Sequence, residues 1–290
     1  MNHTVSLPAL ALLVLLIAPG WPGRTAGPGS ERVPSAAVKA HARNVVLIIM
    51  DDRDYARVVG NAKAPYLNSL LPVAALMTNS HAVAHPSQPN YLALFSGSTQ
   101  GVTDDSCPHR FSSNNLGAEA IAAGWTFTGF SESMPRDGFR RCSSRDYTRA
   151  HNPWVDFTTV PATSNVVWFD IPAAPPVIAN DLDVIVPNTC NDMQHCSTLD
   201  GDNWLRANLS QILLQQDGTK GLTIVTWDEA APDADGQNHI PTVLLGPMIV
   251  PGQYSQRVDH YSLLHTIEEA LGVPCLTNAC GAPPLRGMWR

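Results

Sequence analysis

Residues 44–50, NVVLIIM, constrain the fold of this chain more than any other stretch. An unbroken run of large apolar side chains, most of them β-branched, has no polar face to offer water. As a strand it must be covered on both sides, as the strands of parallel sheets are. Further strand patterns are read at 125–130, 183–186, 222–227 and 242–245. Helical patterns are read at 65–76, 116–123, 202–216 and 261–271, with Gly124, Gly218 and Gly272 as stops after the last three. Strands alternating with helices predict an α/β fold whose mostly parallel sheet is covered by helices on both faces. No repeat or composition break interrupts residues 40–290, so one domain is expected. Residues 135–175 follow no element pattern and read as a long excursion over the active-site face.

With 44% hydrophobic and 15% charged residues, the 290-residue chain has ample material for a core. A net charge of -7 without any Lys/Arg run argues against a nucleic-acid partner. It leaves room for a small phosphate substrate, because a bound metal can reverse the local field. Residues 7–18 are apolar and 20–26 rich in Gly, Pro and small side chains. The apolar run is shorter than the ~20 residues of a membrane span. It reads as a secretory signal peptide over 1–26, although no Lys or Arg precedes it, followed by a linker over 27–43 and the domain over 44–290. No later stretch is apolar enough to span a bilayer, so a secreted or extracytoplasmic protein is expected. The even set of six cysteines suits disulfides, and no Cys-x-x-Cys pair points to a zinc ribbon or a redox site. Cys190 and Cys196 are near neighbours, as are Cys275 and Cys280, which leaves Cys107 for Cys142.

Ligands of open α/β sheets bind beyond the carboxyl ends of the strands. Here the first strand runs into Asp51-Asp52, that at 222–227 into Asp228-Glu229, and that at 183–186 on towards Asp192. One such acid alone would be a turn or cap residue. Two adjacent acidic pairs after two buried strands call for a divalent cation, because clustered carboxylates resist ionisation without one. Carboxylate ligation suits calcium, magnesium or manganese, and added histidines would favour zinc or iron. In residues 85–91, HPSQPNY, Ser87 stands where a helix begins and Pro89 lies in its first turn. The free N–H groups and positive dipole end of such a helix suit phosphate, and the Asn90 amide is placed to join them. His260 precedes the last helix. Asp192, His195 and His239 are candidates for a second metal or for the phosphate.

Eight segments together resemble the bacterial phosphoesterase family, which holds acid phosphatases and phospholipase C-type enzymes and belongs to the alkaline phosphatase superfamily. They are residues 44–55, 65–68 (PYLN), 85–91, 96–105 (SGSTQG, then TDD), 187–197, 201–202 (GD), 226–229 (TWDE) and 260–264 (HYSLL). The resemblance implies a three-layer αβα sandwich of the alkaline phosphatase type. It implies a metal-dependent hydrolase of small phosphoesters or phospholipid headgroups, with Ser87 as nucleophile, Asp51, Asp228 and Glu229 on the metal, and His260 as a ligand or phosphate contact. Two departures stand out. The family usually has Glu-Asn where this chain has Asp51-Asp52, and Asp-Met-His-Asp where it has Asp192-Met193-Gln194-His195. They leave open a secreted binding protein that kept the fold and lost turnover. A sulfatase needs a Cys-x-Pro-x-Arg type motif, and Cys107-Pro108-His109-Arg110 has the wrong spacing. The Gly-x-Ser-x-Gly elbow of serine esterases is absent.

Overall fold

The computed structural model describes residues 42–168, 178–216, 218, 220–232 and 236–290. The expected signal peptide, most of the linker and the end of the excursion lie outside the described residues. Residues 42 and 43 already belong to the domain, since Ala42 is buried and its N–H donates to the Ala270 carbonyl.

The strands are β1 (Val45–Met50), β2 (Ala75–His81), β3 (Phe127–Glu132), β4 (Ser143–Ser144), β5 (Tyr147–Thr148), β6 (Asn165–Trp168), β7 (Leu182–Val186), β8 (Leu222–Trp227), β9 (His239–Leu245), β10 (Gly252–Tyr254) and β11 (Val258–Asp259). The helices are α1 (Tyr55–Val58), α2 (Pro65–Leu70), α3 (Ser87–Ser96), α4 (Leu116–Ala122), α5 (Thr198–Gln215) and α6 (His260–Leu271). Nine strands form one sheet in the order β10-β2-β9-β8-β1-β7-β3-β6, with β11 also on β2. Only β9 runs against its neighbours β2 and β8. The NVVLIIM strand lies between β7 and β8, buried along its whole length.

Alternation along β1 divides the core in two. Val45, Leu47 and Ile49 pack with Tyr91 and Phe95 of α3, Leu116 of α4 and Leu263 of α6. Val46, Ile48 and Met50 pack with Val58 of α1, Leu67 of α2 and Leu205 of α5. The result is the expected three-layer αβα arrangement. Met50 and Trp227 pair in register, so both acidic pairs leave the sheet at the same level.

The departures from expectation are local. The helix expected over 65–76 ends at Leu70; a short 3-10 turn holding Pro72, which has no N–H to donate, leads into β2. Asp202, the expected start of the next helix, lies inside α5, which begins at Thr198 behind a Ser197–Asp200 capping box. The buried Asp202 carboxylate accepts from the N–H groups of Tyr66 and Leu67, both at 2.8 Å, and so caps α2 instead. The excursion is ordered over 133–164 by the β4–β5 hairpin and three 3-10 turns, and β6 closes that edge of the sheet. All three disulfides join the expected partners: Cys107–Cys142, Cys190–Cys196 and Cys275–Cys280. Among the described residues no helix is long and apolar enough to cross a membrane.

The excursion is seated on β3 by Trp154, whose indole N–H donates to Asn165 Oδ1 at 2.8 Å. A Cβ on Gly129 would lie 2.2 Å from that ring. Gly129→Ala is expected to cost about 1–3 kcal/mol by overpacking. Gly218→Ala, with nothing within 4 Å, should stay within about 0.5 kcal/mol of wild type. Thermal unfolding of the two variants checks the difference; equal melting temperatures would refute the packing account.

Candidate active site

Four chain segments meet at the carboxyl ends of the central strands. β1 delivers Asp51, fully buried, and then turns through Asp52 with φ at 53°. Short polar side chains tolerate this left-handed conformation best. β8 delivers Asp228 and Glu229. Asp228 Oδ1 accepts from the N–H of Glu229 at 2.6 Å and of Asp52 at 3.3 Å, tying the two acidic turns together. The segment after β2 delivers Ser87 as the first residue of α3, a helix buried throughout. Ser87 Oγ lies 3.1 Å from Glu229 Oε1 and 3.5 Å from Asp51 Oδ1. The loop after β7 brings in Asp192, whose carbonyl accepts from the Asp51 N–H at 2.8 Å.

Two histidines that the sequence did not single out meet this cluster. His85 Nδ1 is hydrogen-bonded to Glu229 Oε2, with the side chain about half exposed at the edge of the crevice. His151, from the excursion, is buried and stacks on Tyr91 at 4.8 Å between ring centres. Its Nδ1 lies 3.4 Å from Asp51 Oδ2 and 3.3 Å from Asp192 Oδ2, and its Nε2 lies 3.5 Å from the Gln194 amide nitrogen. Tyr91 donates to Asp51 Oδ2 at 3.0 Å.

The expected site residues divide accordingly. Asp51, Asp52, Ser87, Asp228, Glu229 and Asp192 come together. Asn90 does not offer its amide to a ligand. Its Oδ1 accepts from the N–H groups of Val83 and Ala84, and its nitrogen donates to the carbonyls of Ala84 and Pro86. It shapes the loop that delivers Ser87. The first-turn N–H of Gln88 is likewise held, by Asp105 Oδ1 at 2.8 Å. His260 is buried behind Asp228, with Nε2 at 3.0 Å from the Trp227 carbonyl and Nδ1 without a hydrogen-bond partner. His239 stacks between Tyr55 and His81, and His195 is exposed on the Cys190–Cys196 loop. Asp192 therefore pairs with His151 rather than with His195 or His239.

Burial and mutual repulsion push the carboxyl groups up together. Asp52 rises to about 6, Asp192 to about 7 and Glu229 to about 8; in each, burial is the largest cause and the neighbouring acids add to it. Asp51 and Asp228 move the same way, also through burial first. Burial opposes the charged form of His151, but Asp51 and Asp192 lift it to about 9. A cation reverses this penalty, and the donor set fits one. Asp228 Oδ2 and Asp52 Oδ1 are buried oxygens with no hydrogen-bond donor. Ligand atoms of Asp51, His151 and Asp192 lie within 4.8 Å of one another. Hard carboxylate oxygens with one or two imidazole nitrogens suit a divalent ion.

A profile of the Phosphoesterase family matches residues 60–274. A phosphatidylinositol-3-phosphatase of Mycobacterium tuberculosis is 37% identical over 289 residues, covering 98% of this chain and 94% of its own. A phosphate-repressible acid phosphatase of Penicillium chrysogenum is 29% identical over 76% of this chain, which spans 58% of that longer relative. Among solved structures, the lipoteichoic acid synthase LtaP of Listeria monocytogenes superposes with a TM-score of 0.58 at 10% identity, over 87% of this chain and 79% of its own. An alkaline phosphatase superfamily protein of Vibrio parahaemolyticus gives 0.56 at 11%, over 82% and 69%. These two likenesses concern the fold. Cys107, the cysteine of the sulfatase-like segment, is bonded to Cys142. The chain belongs to the phosphoesterase family and is a phosphoric ester hydrolase.

Proposed function

We propose that the chain is an exported, metal-dependent phosphomonoesterase that removes phosphate from phosphorylated lipid headgroups, with Ser87 as nucleophile. The observation that carries the mechanism is the Ser87 hydroxyl at the start of α3, 3.1 Å from Glu229 Oε1 with Asp51 beside it. The substrate class rests on the mycobacterial relative, matched almost end to end and named for a phosphoinositide. That relative and the fungal one both carry phosphatase names, which favours a monoester over the phospholipase C-like diester. Export rests on residues 7–26 and on three disulfides, which persist in oxidising compartments.

The chain's own groups account for positioning and for the proton. Ser87 Oγ closes on phosphorus, the bond to the leaving oxygen breaks, and a phosphoseryl intermediate remains for water to hydrolyse. The hydroxyl proton leaves along Glu229, whose second oxygen meets His85. His85, half exposed at the crevice edge, hands it to the departing oxygen. This role passes to His85 from His260, His239 and His195, for which the sequence suggested it. When bound by Asp51, Asp52, Asp228 and Glu229, a divalent ion supplies positive charge that makes the serine alkoxide accessible near neutral pH and screens the phosphoryl oxygens. His151, held between Asp51 and Asp192, keeps these two carboxylates in place or joins them as a ligand of a second ion.

Ser87→Ala should cut turnover of p-nitrophenyl phosphate by about a thousandfold or more while leaving metal content unchanged. Asp228→Asn should lose metal and turnover together. Near-normal turnover by folded, metal-loaded Ser87→Ala would end the nucleophile assignment. Wild-type protein should hydrolyse phosphatidylinositol 3-phosphate and lose that activity to a chelator; cleavage of bis-p-nitrophenyl phosphate in preference to the monoester would reverse the substrate reading.

Metal-free protein should also reveal the buried acids. Folded-state values raised above their unfolded ones stabilise the fold at low pH, and that stability is lost as pH rises through them. Between pH 5 and pH 8, across the values near 6, 7 and 8 for Asp52, Asp192 and Glu229, the chelated protein should lose about 5 °C or more of melting temperature, at about 2–4 °C per kcal/mol. Saturating divalent ion should remove the slope. A metal-free melting temperature that rises over that range would contradict the clustering.

A further inference from the structure

The chain is acidic overall, with a net charge of -7, yet its arginines are not spread evenly. Residues 133–149 carry Arg136, Arg140, Arg141, Arg145 and Arg149 against Asp137 and Asp146, and Arg110 stands on the loop that Cys107–Cys142 ties to this segment. Arg149 is spent internally, buried on Asp156 at 2.7 Å. The other five are exposed, and among the described residues none makes an ion pair. The two aspartates are exposed as well, Asp137 accepting from the Val167 N–H at 2.9 Å, so arginines outnumber acids five to two here. Arg110 and Arg140 line a cavity of about 240 Å³, and Arg145, with Ser133 and Ser144, one of about 310 Å³.

The position of this face matters as much as its charge. The excursion leaves β3 at the carboxyl ends of the strands, where the acidic cluster lies. The Asp146 carbonyl accepts from the Thr189 N–H at 2.9 Å, on the loop that carries Asp192. Two residues beyond Arg149, His151 reaches Asp51. The arginine-bearing segment and Ser87 therefore lie at the same end of the sheet.

We propose that this face docks the enzyme on an anionic lipid bilayer, with the guanidinium groups seated on headgroup phosphates and carboxylates. The choice of a lipid substrate rests on the function proposed above; the docking does not require it. Guanidinium forks pair with phosphate oxygens two at a time and are less strongly hydrated than ammonium groups. Five exposed arginines without an ion pair, Arg136 and Arg140 each spending one N–H on a backbone carbonyl, on loops held by a disulfide suit a broad charged surface better than one buried anion. Each basic residue near such a surface contributes about 1 kcal/mol, screened over a Debye length of about 8 Å at physiological salt.

The test is co-sedimentation of the folded, metal-loaded protein with vesicles of phosphatidylcholine alone or of phosphatidylcholine with phosphatidylserine. Binding is expected only to the mixed vesicles and should weaken as salt rises. The triple variant Arg110→Gln, Arg141→Gln, Arg145→Gln should bind about a hundredfold more weakly, by three such contributions. Arg206→Gln, on α5, should bind as wild type does. Turnover of soluble p-nitrophenyl phosphate should be the same in all three proteins if each melts normally. Equal binding to both vesicle types, an unchanged triple variant, or salt-sensitive capture of a single-stranded oligonucleotide without vesicle binding would overturn the proposal. If the wild type hydrolysed no soluble monoester, the phosphatase reading would fail, while the vesicle comparison would still decide the docking.

Discussion

Five carboxyl groups, those of Asp51, Asp52, Asp192, Asp228 and Glu229, converge at the ends of three neighbouring strands, four of them almost wholly buried. Burial costs each its charge, and each charge raises the cost of the next. The surrounding structure meets that repulsion with donors. Asp228 Oδ1 takes two backbone N–H groups, Asp51 the Tyr91 hydroxyl, and Asp192 the Gln194 N–H at 2.8 Å. His151 is wedged between Asp51 and Asp192. These contacts leave Asp228 Oδ2 and Asp52 Oδ1 unsatisfied. An arrangement that costs stability at a crevice of this kind is the usual mark of a functional site.

The register of the sheet turns that cluster into a site. Because β1 and β8 pair residue for residue up to Met50 and Trp227, Asp51 and Asp228 emerge side by side. β8 is followed by the antiparallel β9, and β9 by its antiparallel partner β2, so the chain leaving β2 returns to the same end of the sheet. That is where Asn90 folds residues 83–86 into the turn before Ser87. Asn238 Nδ2 fixes the same turn through the Ala84 carbonyl at 2.7 Å, while its Oδ1 accepts from the Ala230 N–H just after Glu229. Ser87 and the acids are thus joined by side-chain amides as well as by the sheet.

The parts legible in the sequence are those fixed by short-range pattern. An apolar strand followed at once by acids declares both the burial of the strand and the end at which the acids lie, and so Asp51, Asp228 and Glu229 could be placed without coordinates. Ser87 could be placed from the prolines around it. The sequence was silent wherever a partner comes from far along the chain. Residues 149–153, RAHNP, carry no periodicity, and nothing in them shows that His151 will stack on Tyr91, 60 positions earlier. His85 stood inside a recognised motif but was passed over for histidines nearer helix and strand starts. β2 was missed because its second half, TNSH, is polar, as suits a strand beside the short β10 and β11 near the sheet edge. Asn90 was misjudged for a different reason: a side-chain amide serves a loop carbonyl as readily as a ligand, and spacing cannot tell the two apart.

The excursion shows why net charge is a poor guide to what a chain meets. Arg149 donates to Asp156, to the carbonyls of Arg140 and His109, and to that of Val155. One buried guanidinium thereby holds together the strands of loop that a disulfide joins only at Cys107 and Cys142. Most of its donors are committed inward, and its charge is paired with that of Asp156. The segment so fixed presents His151 to the carboxylates and carries arginines exposed to solvent. Total charge averages over these arginines and over an acidic crevice that a cation would neutralise. It therefore says nothing about a locally basic stretch of loop at the carboxyl ends of the strands.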